Sequence, residues 1–373
     1  MSENNADKEG KPSGRLFKLY ETWGKSGAGI LISGNVMVDP KALGESRNVI
    51  IEDERYLAEL KEWATSCQAD GSQLWMQINH PGRQGGRMNK ELVSPSDVQL
   101  PMKAIFAKPR ALEESEILDL IERYGNTAAI AQKAGWAGVQ IHGAHGYLVS
   151  QFLSPITNKR ADKWGGSIEN RARFVLEIYR NIRQKVGAQF PVGIKINSAD
   201  FQRGGFTEEA SLQVISMLGA EGMDLIEVSG GTYEQSAMMG NSKKVKESTQ
   251  KREAYFADFI VKARKQTNVP LLLTGGFRTV EVMNTALKND ELDFVGIARP
   301  FAVYPRLGYD IFEGKLDNLS LKAIKTGIKY VDKMGALDIQ WYADQMRLLG
   351  EGKKPNPNMG AWKSLFRMVK HNM

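Results

Sequence analysis

Short apolar runs rich in β-branched residues alternate along this chain with longer segments of helical period, and that alternation admits few folds. Repeated strand–helix units bury their apolar faces as a parallel sheet covered by helices. Strands are predicted at residues 29–33, 73–78, 138–141, 192–196, 225–228, 270–273 and 294–297. Helices are predicted at 15–25, 54–67, 114–134, 168–186, 208–218, 255–266 and 279–288. The expected fold class is α/β, a TIM (β/α)8 barrel with only seven strands evident. Closure of such a barrel takes eight strands, which at the usual shear let side chains fill the interior. The chain opens with a polar loop, SENNADKEGKPS, that leads into a helix, so the missing member is the first strand. Either the product begins upstream of Met1, or the barrel stays open with two unpaired edges. The first reading is favoured, because exposed edges invite aggregation.

The length of 373 residues suits one barrel domain spanning 1–373, with a C-terminal extension from about 310. Insertions at 79–113, 143–167 and 229–252 follow strands. All fall on the C-terminal face, where barrels of this kind place their active sites. The 50 basic and 43 acidic residues leave a formal charge of +7, an excess that suits anionic small molecules. No basic stripe interleaved with aromatics accompanies it, so nucleic acid is not an expected partner. The single Cys67 excludes an internal disulfide and a protein-held iron–sulfur cluster. No apolar run reaches the length of a membrane span, and the N-terminus is unlike a signal peptide, so a cytoplasmic protein is expected. Monomer and homo-oligomer both remain open.

Two of the four histidines stand three residues apart in Ile141-His142-Gly143-Ala144-His145-Gly146-Tyr147, directly after the apolar run 138–141. They therefore emerge at the C-terminal end of a strand. Imidazole donates readily to a carbonyl or nitro oxygen near neutral pH, and a neighbouring phenol can supply a proton. A zinc pair or two core histidines are the alternatives for the spacing alone. Lys195 interrupts the apolar run 192–196; a buried ammonium needs a partner, such as the carboxylate of Glu227 or Asp200.

The longer segment IHGAHGYLVSQFLSPITNKRADKWGGSIENRARF, residues 141–174, resembles the signature of the Old Yellow Enzyme family of FMN-dependent NAD(P)H oxidoreductases. QINHPGRQ at 77–84, GIKIN at 193–197 and LTGGFR at 273–278 resemble further motifs of that family, in its order. The resemblance runs from residue 1 to about 305, and it places Met1 on a methionine that relatives carry internally.

The resemblance implies FMN as cofactor, NADH or NADPH as reductant, and an electron-poor alkene as small-molecule substrate. It places Lys195 and Gln77 on the flavin pyrimidine and makes Asn35 a further flavin contact. It assigns the phosphate to Gly275, Gly276, Phe277 and Arg278 with Ala298 and Arg299, after the last two strands, where this fold often cradles phosphate. His142 and His145 would bind the substrate's activating oxygen, and Tyr147 would protonate the carbon beside the carbonyl. No metal is expected. His80 and Arg83 are read as a hydrogen-bonded pair shaping the mouth, and Glu169, Asn170, Arg171 and Arg173 as a helix-start scaffold. His371 is expected in solvent, and residues 359–373 as a segment packed on the barrel. Two competing functions stand beside the flavin enzyme: a lyase or aldolase using Lys195 as a Schiff-base nucleophile, and a non-catalytic remnant.

Overall fold

Side chains of a strand point alternately to its two faces, so a parallel sheet covered by helices needs apolar residues on both. The computed structural model describes residues 3–86, 89, 91–101, 106–230, 257–332 and 336–372. Its strands are β1 (Ile30–Ile32), β2 (Val36–Met37), β3 (Val49–Ile50), β4 (Gln73–Asn79), β5 (Val93–Ser94), β6 (Arg110–Ala111), β7 (Gly138–Gly143), β8 (Val192–Asn197), β9 (Leu225–Ser229), β10 (Leu271–Thr274) and β11 (Phe294–Gly296). Helices α1 (Gly14–Gly24), α2 (Leu57–Gln68), α3 (Glu114–Lys133), α4 (Leu148–Leu153), α5 (Ile168–Val186) and α6 (Glu208–Glu221) come first, and Ala257–Arg264, Val280–Lys288 and Ala336–Gly350 are among those that follow. Each predicted strand and helix is present with small shifts at its ends. Residues 255, 256 and 231–252, parts of a predicted helix and insertion, lie outside the described residues.

Seven strands of a nine-stranded parallel sheet stand side by side in the order β1, β4, β7, β8, β9, β10, β11, while β2 pairs with β4 beyond β1 and β3 pairs with β2. This is the TIM-barrel order. Among the described residues nothing pairs with the outer edge of β1 or of β11. The helical layer nevertheless continues across that seam. Trp23 Nε1 of α1 donates to Phe301 O at 3.0 Å, and the Tyr309 N–H donates to Ser26 O at 3.0 Å.

Two local features set the interior. Trp75 occupies the lower layer of the barrel because the neighbouring strands present Gly138 and Gly193; a Cβ at Gly138 would lie 2.7 Å from the indole. Between β1 and β2 the chain takes one residue more than β4 opposite it, since Ile32 pairs with Trp75 and Val36 with Ile78. This is a bulge, which re-aims the side chains within it. Ser33 and Asn35 lie within it, the Ser33 hydroxyl accepting from the Gln77 N–H at 3.0 Å.

In the C-terminal segment the helix Ala336–Gly350 lies against α1. The helix Ala361–Asn372 docks on it through buried Asp344, which accepts from Ser364 at 2.7 Å and pairs with Arg367 at 3.1 Å. The side chain of His371 lies outside those described. Among the described residues no helix is long and apolar enough to cross a membrane.

Candidate active site

Alternation along β7 turns Val139 and Ile141 toward the helices and Gly138, Gln140 and His142 toward the barrel axis. The same rule turns Gln77, Lys195 and Glu227 inward. Register then aligns them: His142 stands opposite Lys195, and Lys195 opposite Glu227. Lys195 Nζ donates to Glu227 Oε1 at 2.6 Å, with both side chains largely buried. The lysine thus finds one of the two carboxylates named for it. Burial pushes the Glu227 carboxyl up, but the Lys195 charge and the hydrogen bonds from Lys195, Thr274 and Gln140 outweigh it, so the group lies below the ordinary carboxylate range. Asp200 serves elsewhere: it accepts from Ser154 at 2.5 Å and from the Phe206 N–H at 3.0 Å.

Above this layer β7 ends in a sharp turn. His145 (φ 61°) and Gly146 (φ 79°) are both left-handed, a conformation costly for a histidine. Asn197 steadies it, its Oδ1 accepting from the His145 N–H at 3.1 Å. The turn brings the three predicted residues together. The His142 ring lies 5.2 Å from His145 and 4.7 Å from Tyr147, centroid to centroid. Asn35 Nδ2 reaches across from the β1–β2 bulge to donate to the Tyr147 hydroxyl at 3.4 Å. The Ala144 N–H donates to His142 Nδ1, so a neutral His142 carries its proton on Nε2. His145 Nε2 lies 2.9 Å from Ser229 Oγ. Burial holds both imidazoles well below the usual histidine range, with the Lys195 charge acting the same way. Both are neutral near pH 7.

His80 and Arg83 do not form the expected pair with each other. His80 Nδ1 accepts from the Gly82 N–H at 3.0 Å, while Arg83 donates from its backbone to Gln151 Oε1 and from Nη1 to Val98 O. The reason is Gln151, whose amide ties the loop after β4 to the loop after β7 by donating to Pro81 O and Gly146 O. Burial lowers the His80 pKa to about 4. Gln151 had no sequence signal beyond its place in the signature.

The predicted phosphate residues follow β10 and β11, which are neighbours through Thr274 and Gly296. Gly275 (φ 128°) and Gly276 (φ 91°) take conformations that other residues rarely adopt. Phe277 is buried, Arg278 and Arg299 are exposed, and Ala298 begins the turn Arg299–Ala302. The Arg299 charge faces Asp338 of the C-terminal extension, countering the upward push of burial on that carboxyl.

Sequence reasoning passed over Gln140 and took Glu227 only as an ion partner. Gln77 Nε2 donates to Gln140 Oε1 at 2.7 Å, and Gln140 Nε2 donates to Glu227 Oε2 at 2.7 Å. Among the described residues Gln77 Oε1 is buried without a hydrogen-bond partner. The available signal was a polar residue at an inward position of a fully buried strand, in GVQIHG and again in LIEVS.

Comparison with known proteins agrees with this architecture. The chain is 38% identical over 331 residues to the NADH-dependent flavin oxidoreductase iliE of Hypocrea jecorina, covering 82% of each protein. It superposes on 2-naphthoyl-CoA reductase in complex with 2-naphthoyl-CoA with a TM-score of 0.80 and 27% identity, covering 92% of this chain and 54% of that one. The chain therefore spans about half the length of that neighbour. An Old Yellow Enzyme homologue from Zymomonas mobilis shares the fold, with a TM-score of 0.72 at 23% identity over 85% of this chain and 88% of that one. Residues 1–318 match the model of the NADH:flavin oxidoreductase / NADH oxidase family, and the chain belongs to that family, as an oxidoreductase that works with FMN and NAD(P)H.

Proposed function

We propose that this protein is an ene reductase that saturates the C=C bond of α,β-unsaturated carbonyl compounds or similar electron-poor alkenes. The grouping of His142, His145 and Tyr147 above the layer of Gln77 and Lys195 carries the reading. FMN, when bound, would supply the hydride chemistry that links NADH or NADPH to the alkene's β carbon.

The residues present fit that cofactor. The orphaned Gln77 Oε1 suits the N–H of the flavin pyrimidine, and the Lys195 ammonium suits the edge that gains negative charge on reduction. Asn35, which donates to the Tyr147 hydroxyl, is the proposed further flavin contact. Gly275, Gly276, Phe277 and Arg278 with Ala298 and Arg299 are the proposed phosphate cradle.

The chain's own part in alkene reduction is to hold an oxygen and deliver a proton. Neutral His142 offers Nε2–H to the activating oxygen, with His145 beside it, which draws electron density from the β carbon. Tyr147 accepts from Asn35 and gives its own proton to the α carbon. Seating the alkene here makes both transfers unimolecular. The Lys195–Glu227 pair counts against the Schiff-base alternative, because an ammonium held by a carboxylate at 2.6 Å has no lone pair for attack.

The test is anaerobic turnover of NADH with the FMN-loaded protein and cyclohexenone or a nitroalkene. Saturated product forming mole for mole with NADH consumed is expected. Flavin reduction by NADH with no alkene consumed in either case would overturn the reading.

A further inference from the structure

We infer that Glu227 is a positioning residue that sets the direction of a buried amide chain, and so decides which atom Gln77 presents to the cofactor. The inference rests on the proposed flavin site. Three observations build it. The chain Gln77–Gln140–Glu227 crosses the barrel through two hydrogen bonds of 2.7 Å. Its three members are all buried. One end is anchored by Lys195 at 2.6 Å, and the other ends in a buried Gln77 Oε1 with no partner among the described residues.

An amide is ambiguous, having one donor end and one acceptor end; an ionised carboxylate only accepts. Glu227 therefore forces the Gln140 amide to turn its NH2 toward it. Gln140 Oε1 then faces Gln77 and must receive its NH2. The remaining atom of Gln77 is Oε1, an acceptor. The pyrimidine edge of a flavin carries a single donor, its N3–H, between two carbonyl oxygens, so an acceptor is what that position requires. A buried acceptor left bare is costly, which favours a ligand that donates to it.

The chain should be reversible by substitution. In Glu227→Gln, Lys195 would still donate to the side-chain oxygen at that position, which turns the new NH2 toward Gln140. Every amide downstream flips, and Gln77 then meets N3–H with its own NH2, donor against donor. In the double variant Glu227→Gln, Gln140→Glu, the carboxylate sits one place along and accepts from both neighbours. Gln77 again presents Oε1, although the Lys195 ion pair has gone.

The experiment measures binding of FMN and of N3-methyl-FMN to the apoprotein by flavin fluorescence quenching. The methylated flavin lacks the donor, so the wild-type protein should prefer FMN by about tenfold, the worth of one good hydrogen bond. Glu227→Gln should lose that preference through weaker FMN binding, and the double variant should regain it. Gln140→Lys, a side chain that can only donate, keeps Glu227 but obliges Gln77 to turn its Oε1 toward position 140, and should also lose the preference; it carries the test alone if Glu227→Gln does not fold. A preference unchanged in Glu227→Gln or in Gln140→Lys, or not regained in the double variant, overturns the inference while leaving the flavin reading standing. Failure of the wild-type protein to bind FMN overturns both.

Discussion

The two sides of the barrel are built to different standards. On the side formed by β4, β7, β8 and β9 every strand is paired at both edges, and all six residues of β7 are buried. At the seam, β11 pairs on one edge alone among the described residues; Phe294 is 39% exposed, and Val295 and Gly296 are only partly covered. The residues proposed for oxygen binding and proton transfer stand on the first side, whereas the loops proposed for phosphate leave β10 and β11. Chemistry that depends on the placement of single hydrogen bonds sits on over-determined backbone. A phosphate can be held by backbone N–H groups and mobile cations, and tolerates the looser side.

The largest effect that could break this comparison is chemical. Tyr147→Phe should slow alkene reduction by ~10²–10⁴-fold, the usual contribution of a general acid. Flavin reduction by NADH should stay nearly unchanged, since only the second half-reaction takes that proton. Stopped-flow measurement of both halves decides it, and equal loss in both would remove Tyr147 from the role.

Stability offers a direct contrast. Ile194, fully buried on β8, should cost about 2–5 kcal/mol when changed to Ala, because the cavity cannot collapse. Phe294→Ala at the seam should cost roughly 1 kcal/mol, since much of that ring already meets solvent. Denaturant unfolding of both variants measures the difference, and equal losses would mean that the seam is as tightly held as β8.

A change of pH should find the paired side as well. His142 and His145 are held below the normal histidine range by burial, and His80 at about 4. Below the unfolded-state pKa of about 6.5 the unfolded chain binds protons that these buried rings refuse, so stability present above that pH is lost as pH falls. The thermal midpoint should therefore drop between pH 7 and pH 5, and less so in His80→Gln. A flat profile would argue that the rings are solvated.

The smallest effect concerns one hydrogen bond. His142→Ala should weaken binding of a phenol or enone to the oxidised protein by roughly 0.5–1.5 kcal/mol, more if the ligand oxygen is anionic. Titration with unchanged affinity would remove His142 from the oxygen clamp.

How much of this was legible beforehand varies by element. The strands at β4, β7, β8 and β9 were readable because each is a short apolar run bounded by polar turns. His142, His145 and Tyr147 were readable as a group because they leave one strand end within six residues. The His80–Arg83 pairing was misjudged, because Gln151, far away in the chain, supplies the loop's hydrogen bonds instead. Gln140 went unnoticed, since a glutamine in a strand gives no hint of what stands on the strands beside it.

By itself, then, the sequence determined the α/β alternation, the seven longer strand–helix units and the identity of the groups at the strand ends, all of which follow from local periodicity and turn chemistry. Only the tertiary structure decided that Lys195 pairs with Glu227 and not Asp200, that Asn35 reaches Tyr147, and that Gln77, Gln140 and Glu227 form one directed chain. Those outcomes depend on the register between strands distant in the sequence, and on the cost of leaving any buried polar atom without a partner.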